Sequence, residues 1–276
     1  MISVDSRQVY HGLDIGTGKD LTEYSMGELS IPYHLIDVNA VQEQFYLHDF
    51  VREAEAAFNK ITARNHLPIF CGGTGLYLDA LRKNFSFTKV PEQPALRADL
   101  EKFDKAELLK KLETYPAEFI KTVDRNSKKR IIRGIEIADF LIEHGPIQSS
   151  FDTPYKPLYI GITVERDALK HRIAKRLDTR LKSGLVEEVQ GLITKRIPIQ
   201  RLEELGLEYK FVSRLIKGDL NTIQMQEQLL TAIYQFSKRQ MTWFRKMEKE
   251  GVEINWIDPD CDLNELVEKI QDRINE

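Results

Sequence analysis

The chain of 276 residues is 42% hydrophobic and 30% charged, with a net charge of −3. That is long enough for a sizeable core, as one large domain or a domain with a smaller insertion. No run of about 18 apolar residues is present, so no membrane span is expected. The slightly acidic balance weighs against a uniformly basic nucleic-acid binder.

The first residues, Met1-Ile2-Ser3-Val4-Asp5, lack the basic-then-apolar pattern of a signal peptide. Two cysteines, Cys71 and Cys261, fit neither a disulfide framework nor a four-ligand metal site. A cytoplasmic protein with free thiols is the expectation.

In chain order, Ile2–Val4 reads as a short strand running into Asp5, and His34–Val38 as a second. Phe50, Ala54, Ala57, Phe58 and Ile61 recur at helical spacing and predict an amphipathic helix over 47–63. Leu67–Cys71 reads as a buried strand that Gly72-Gly73-Thr74-Gly75 turns into the next helix. Alternating strands and helices point to a parallel α/β sheet. Residues 94–144 then read as almost wholly helical, with proline turns at Pro91, Pro94, Pro116 and Pro146. Pro157–Val164 returns to strand. Helices are predicted over 165–182, 184–195, 207–217, 222–250 and 262–274, with a late strand at 252–257.

Five clusters could carry chemistry. Asp5-Ser6-Arg7-Gln8-Val9-Tyr10 follows the first strand directly, where open α/β sheets bind ligands. A carboxylate there can act as a general base or simply cap a turn. Gly72-Gly73-Thr74-Gly75-Leu76-Tyr77 opens a helix, and its glycines let backbone approach a ligand or make a tight turn. Lys128, Lys129, Arg130 and Arg133 lie on a helix whose apolar side is Ile131, Ile135, Ala138 and Ile142. Lys129 and Arg133 share a face that either meets phosphate or is solvated.

Arg172, Arg176 and Arg180 form one stripe, which repels itself unless anions or local acids such as Asp178 neutralise it. Lys238-Arg239-Gln240-Met241-Thr242-Trp243-Phe244-Arg245 places bases beside aromatic residues that read as core. Gly16-Thr17-Gly18-Lys19-Asp20 imitates the end of a Walker A loop. Its leading glycine falls on Leu13 and its hydroxyl position on Asp20, so it is rejected.

The order and spacing of these strings, together with Asp14-Ile15-Gly16-Thr17 and Pro32-Tyr33-His34-Leu35-Ile36-Asp37, resembles the tRNA dimethylallyltransferases over nearly the whole chain. Gly-Gly-Thr-x-Leu-Tyr and Lys-Arg-Gln-x-Thr-Trp are the specific strings. The resemblance implies a P-loop-type parallel α/β core flanked by helices, over residues 1–92 and 150–276. An all-helical insertion, residues 93–149, would grip a tRNA anticodon stem-loop. It implies transfer of a dimethylallyl group from dimethylallyl pyrophosphate to the exocyclic amine of the adenosine just 3′ of the anticodon. The tRNAs are those reading codons that begin with U, and Mg2+ assists from a site the sequence does not identify. A monomer with no membrane partner is expected.

Carried over by position, Asp5 matches the general base and Thr74 a hydroxyl near the target nucleotide. Ser6, Arg7, Gln8, Arg97, Lys129, Arg130, Arg133, Lys238, Arg239, Gln240 and Arg245 match tRNA contacts, as does the segment 202–209. Arg172 and Arg176 are assigned to the pyrophosphate. The sequence departs from the family pattern at Gly18 and Asp20, at Leu205–Tyr209, and at Ala232-Ile233, where an arginine is common.

Family members carry a strand, a Walker A loop and a helix before the aspartate motif, roughly thirty residues. The expectation is therefore a form short of its P-loop and first strand, with a late-assigned start favoured over genuine loss. Three alternatives compete. A non-catalytic tRNA-binding remnant would keep the basic helices alone. A prenyltransferase for free adenine nucleotides would need neither the insertion nor the basic stripes. A small-molecule kinase would need a complete Walker A loop.

Overall fold

The computed structural model describes residues 1–83, 90–145, 157–259, 264, 267, 268 and 270–272. The chain divides into two compact units, Met1–Leu78 with Pro154–Glu276, and Asp79–Thr153.

In the first unit, β1 (Ile2–Ser3) runs into the Asp5 turn. A 3-10 turn (Leu21–Tyr24) leads to a small antiparallel hairpin, β2 (Ser25–Met26) and β3 (Leu29–Ser30). The amphipathic helix α1 (Leu47–Thr62) buries Phe50, Ala54, Ala57, Phe58 and Ile61, the stripe its periodicity predicts. Then β4 (Phe70–Cys71) pairs parallel with β1, Ile2 opposite Phe70 and Ser3 opposite Cys71. On the other side of β1, Ile2 forms a parallel bridge to His34, so the strand before Asp5 is hydrogen-bonded on both edges. After Thr74 the chain enters α2 (Gly75–Lys83).

The expected strands at 2–4, 157–164 and 252–257 form but are shorter, and two others depart further. His34–Val38 is not a strand, because Leu35 and Asp37 take left-handed backbone (φ 63 and 52). There the chain follows the Asp5 motif instead: Asp37 N–H donates to the Gln8 carbonyl, and Val38 N–H to the Val9 carbonyl. Leu67–Cys71 is a strand only at its last two residues, and it is not buried, since Leu67 and Ile69 are exposed.

The second unit is helical among its described residues: α3 (Pro94–Leu100), α4 (Lys105–Leu112), α5 (Ala117–Ile120) and α6 (Lys128–His144). Leu100, Leu108, Leu112, Ile120, Ile131, Ile132, Ile135 and Ala138 form its core. Asp104 starts α4 with a reciprocal cap, accepting from Glu107 N–H at 2.8 Å while Glu107 accepts from its own.

The first unit resumes with β5 (Tyr159–Ile162), then α7 (Arg166–Lys182), α8 (Leu185–Thr194), α9 (Ile199–Glu204), α10 (Leu207–Lys217) and α11 (Thr222–Lys249). Its last strand, β6 (Ile254–Ile257), pairs parallel with β5. The expected helix over 262–274 falls largely outside the described residues. Val9, Tyr10 and Leu13 join the core that α7 to α11 build with Ile173, Leu177, Val189, Tyr209, Val212 and Leu229. The segment after Asp5 is thereby fastened to the helical layer. Among the described residues no helix is long and apolar enough to cross a membrane.

Candidate active site

The Asp5 turn and the glycine loop are one construction. Val4 N–H donates to the Cys71 carbonyl at 2.7 Å, and Thr74 N–H to the Val4 carbonyl at 3.1 Å. Ser6 N–H donates to the Thr74 hydroxyl at 3.2 Å. Gly72 makes the approach possible: its φ is 155, and a Cβ there would stand 2.5 Å from the Val4 backbone. The Asp5 carboxylate accepts from Arg7 N–H at 2.7 Å and Gln8 N–H at 3.4 Å, both on Oδ1. Asp5 therefore caps its own turn, and Oδ2 takes no hydrogen bond among the described residues.

A distant helix closes this group. Gln240 on α11 donates its Nε2 to the Gly73 carbonyl at 3.1 Å. A side chain at Gly75 would strike the Trp243 ring, one turn further along α11. Three strings spread over more than two-thirds of the sequence thus meet at Asp5, Thr74 and Gln240. Arg7 is half-buried in the same region. Burial draws its guanidinium below the ordinary value, while Tyr10 and Asp5 pull it back up. The Tyr77 phenol is raised strongly, chiefly by burial. Its ring stacks on Phe50 with centroids 3.8 Å apart.

The arginines of α7 are neutralised in part, and by a partner that periodicity did not indicate. Arg180 donates to Glu208 Oε1 and to the Gly16 carbonyl, each at 3.2 Å. Asp178 pairs with Lys182 instead, at 2.6 Å. Burial raises the Glu208 carboxyl above the ordinary range despite Arg180 and Arg176, and the charge of Asp5 raises it further. Glu208 therefore links the α7 arginines electrostatically to the Asp5 turn. Arg172 and Arg176 are surface-exposed on α7.

The false Walker segment holds no phosphate-facing lysine. Lys19 is 3% exposed and donates to Asp14 at 2.6 Å, Asp37 at 2.5 Å and the Tyr10 carbonyl at 2.8 Å.

The remaining bases divide by use. Lys238, Arg239 and Arg245 are exposed on α11, with Arg239 lying 5.8 Å over the Phe236 ring. In the helical unit, Lys129 and Arg130 are exposed, and Arg130 pairs with Asp124. Arg97 and Arg133 turn inward. Arg97 grips Glu136 with two bonds, 3.0 and 2.9 Å, and reaches Glu92 at 2.8 Å. Arg133 pairs with the same glutamate and donates to the Val90 carbonyl at 2.7 Å. Within 202–209, Leu202, Leu205 and Tyr209 are core side chains. Sequence reasoning missed Glu136, Glu188 and Glu208 as organisers. Each has a partner far away in the chain, Arg97 for Glu136, Asp14 for Glu188 and Arg180 for Glu208, which no local pattern records.

Residues 8–247 match the family described as IPP transferase. A tRNA dimethylallyltransferase 2 of Syntrophotalea carbinolica is 43% identical over 261 residues, covering 94% of this chain and 85% of that protein. The crystal structure of a full-length tRNA isopentenylpyrophosphate transferase from Bacillus halodurans superposes with a TM-score of 0.67 at 30% identity, covering 99% of this chain and 86% of that one. A eukaryotic dimethylallyltransferase caught acting on tRNA shares the fold at a TM-score of 0.73 and 23% identity, over 93% of this chain and 66% of that one. The chain belongs to the IPP transferase family.

Proposed function

We propose that the protein transfers a dimethylallyl group from dimethylallyl pyrophosphate to the exocyclic amine of the adenosine just 3′ of the anticodon, in tRNAs reading codons that begin with U. The observation that carries this is the convergence of Asp5, Thr74 and Gln240 at the carboxyl end of β1. The names of its relatives supply the substrate classes.

An adenine amine is a poor nucleophile, because its lone pair is delocalised into the ring. The new N–C bond forms as the C–O bond to pyrophosphate breaks, and Asp5 takes the amine proton. Oδ1 is occupied by its turn, which leaves Oδ2 for that proton. The departing pyrophosphate gathers negative charge that Arg176 and Arg172 stabilise. The target base must leave its stack to reach the turn. Ser6 and Arg7 contact tRNA beside the base, whereas the Gln8 amide, expected to do the same, is committed to the Gly18 carbonyl and the Ser3 hydroxyl. The exposed Lys129, Arg130, Lys238, Arg239 and Arg245 meet its backbone.

No group of three or more His, Cys, Asp or Glu side chains converges among the described residues. Mg2+ would enter with pyrophosphate, whose oxygens and water fill most of its shell, so it calls for few protein ligands. The ion supplies charge neutralisation at the leaving group.

The test is transfer of labelled dimethylallyl from its pyrophosphate to unmodified tRNA. Transfer that falls by about 10²- to 10⁴-fold in Asp5→Ala, with tRNA binding kept, is expected. Binding of tRNA with no transfer by the unaltered chain would favour a non-catalytic tRNA-binding protein. Transfer untouched by Asp5→Ala would remove Asp5 as the base.

A further inference from the structure

Three consecutive backbone N–H groups, those of Asp14, Ile15 and Gly16, point at one carboxylate. They donate to Glu188 of α8 at 3.0, 2.7 and 3.1 Å. The Tyr209 hydroxyl donates to the same carboxylate at 2.6 Å. A row of N–H groups of this kind is what phosphate loops offer an anion, and here a side chain 172 to 174 residues away fills it. Arg180 presses on the loop from another side, donating to the Gly16 carbonyl. Gly18 has left-handed backbone (φ 62), and a Cβ there would run into the Arg180 guanidinium.

The loop so held leads to the catalytic turn. Its Gly18 carbonyl accepts from Gln8 Nε2 at 2.9 Å. The other end of that amide, Oε1, accepts from the Ser3 hydroxyl at 2.8 Å. Ser3 is 4% exposed and lies in β1. The two partners differ in kind, a carbonyl and a hydroxyl donor, so the Gln8 amide has one satisfactory orientation. The backbone N–H of Gln8 in turn donates to the Asp5 carboxylate. A continuous set of hydrogen bonds therefore runs from Glu188 through the 14–18 loop and Gln8 to Asp5.

We propose that Glu188 is a positioning residue for the general base: it fixes the 14–18 loop, whose Gly18 carbonyl, with the Ser3 hydroxyl, sets Gln8 and so the Asp5 turn. Glu188 touches no substrate. The inference rests on the transfer reading above for its kinetic consequence, but not for its structural one.

Kinetic variants test the first. Glu188→Gln and Ser3→Ala lower kcat by on the order of tenfold to a hundredfold, the effect of a misplaced catalytic group, while KM for dimethylallyl pyrophosphate stays within about twofold. Residues that act in series couple, so Glu188→Gln adds little in a Gln8→Ala background. Multiplicative losses in the double variant, or a change in KM alone, would overturn the proposal. Ser3→Ala removes a single hydroxyl and guards against a folding defect at Glu188.

Amide hydrogen exchange tests the second without any turnover. In Glu188→Ala, exchange speeds in residues 14–18 and also in residues 5–8. Speeding confined to 14–18 would sink the proposal even if transfer is confirmed. A chain without transfer activity would count against the proposed function only, since exchange still decides this inference.

Discussion

Two glutamates each face two arginines, and burial acts on both, yet their carboxyls shift in opposite directions. Glu136 of the helical unit is fully buried. Burial alone would raise it, but the bonds from Arg97, Gln93 N–H and Arg133 outweigh that and hold it below the ordinary range. Glu208 has one bond from Arg180, at 3.2 Å, and feels Arg176 only through space. There burial wins, Asp5 adds to it, and the carboxyl is raised. Charges of equal number thus do different work. At Glu136 direct, bidentate geometry consumes the arginines in the fold. At Glu208 only Arg180 bonds the carboxylate directly and Arg176 acts through space, the arrangement that the proposed pyrophosphate site requires.

The largest test of this contrast is stability. Glu136→Ala leaves Arg97 and Arg133 facing a buried gap and is expected to cost about 3–5 kcal/mol, as for a broken buried ion pair. Glu208→Ala removes a carboxyl whose charge burial already disfavours and which one bond from Arg180 holds, and it is expected to cost less, about 1–2 kcal/mol. Urea unfolding at neutral pH measures both, and equal losses would erase the distinction.

Acid separates the two further. The Glu136 carboxyl is depressed in the folded state, so its contribution is complete above the unfolded value and is lost as pH falls through the lower, folded one. The Glu208 carboxyl is raised, so the folded state binds the extra proton and stability is gained as pH falls through that raised value. Glu136→Gln should therefore flatten the acid limb of a stability–pH curve. Glu208→Gln should remove a rise above the ordinary glutamate range.

Function gives the next test. If the α7 arginines await pyrophosphate, Arg176→Ala should raise KM for dimethylallyl pyrophosphate about tenfold, the scale of one lost charge-assisted bond, without a stability loss. Arg97→Ala should do the reverse, destabilising the chain and leaving that KM alone. Steady-state transfer kinetics beside unfolding curves would show whether the division holds.

The sequence made some of this visible. The Asp5 turn was legible because a short apolar strand ending in Asp-Ser-Arg-Gln sits where sheet ligands bind, and α1, α7, α10 and α11 because their apolar residues keep helical spacing. His34–Val38 was misread because apolar residues there suggest a strand, whereas Leu35 and Asp37 adopt left-handed backbone fixed by tertiary bonds to Gln8 and Val9. Glu136, Glu188 and Glu208 were invisible as hubs. Glu136 reaches Arg97 across 39 positions and Glu188 reaches Asp14 across 174, and no periodicity records such pairings.

The smallest effect concerns Lys129 and Arg133, one turn apart on α6. Spacing alone makes them equivalent phosphate contacts. The structure separates them: Lys129 is exposed, while Arg133 holds Glu136 and the Val90 carbonyl. An exposed lysine that meets a phosphate releases counterions, so Lys129→Ala should lower the salt-dependence slope of tRNA binding by about 0.7 to 0.9. Its affinity loss should be only a few-fold at moderate salt, with an unchanged unfolding midpoint. Arg133→Ala should weaken tRNA binding only together with a lowered midpoint, because its charge is committed to the core of its own unit. Filter binding across a salt series, set beside urea curves of both variants, reads the difference. A slope change in Arg133→Ala without destabilisation would mean that tRNA draws this arginine away from Glu136, and the contrast between spare and committed bases would then hold only for the tRNA-free protein.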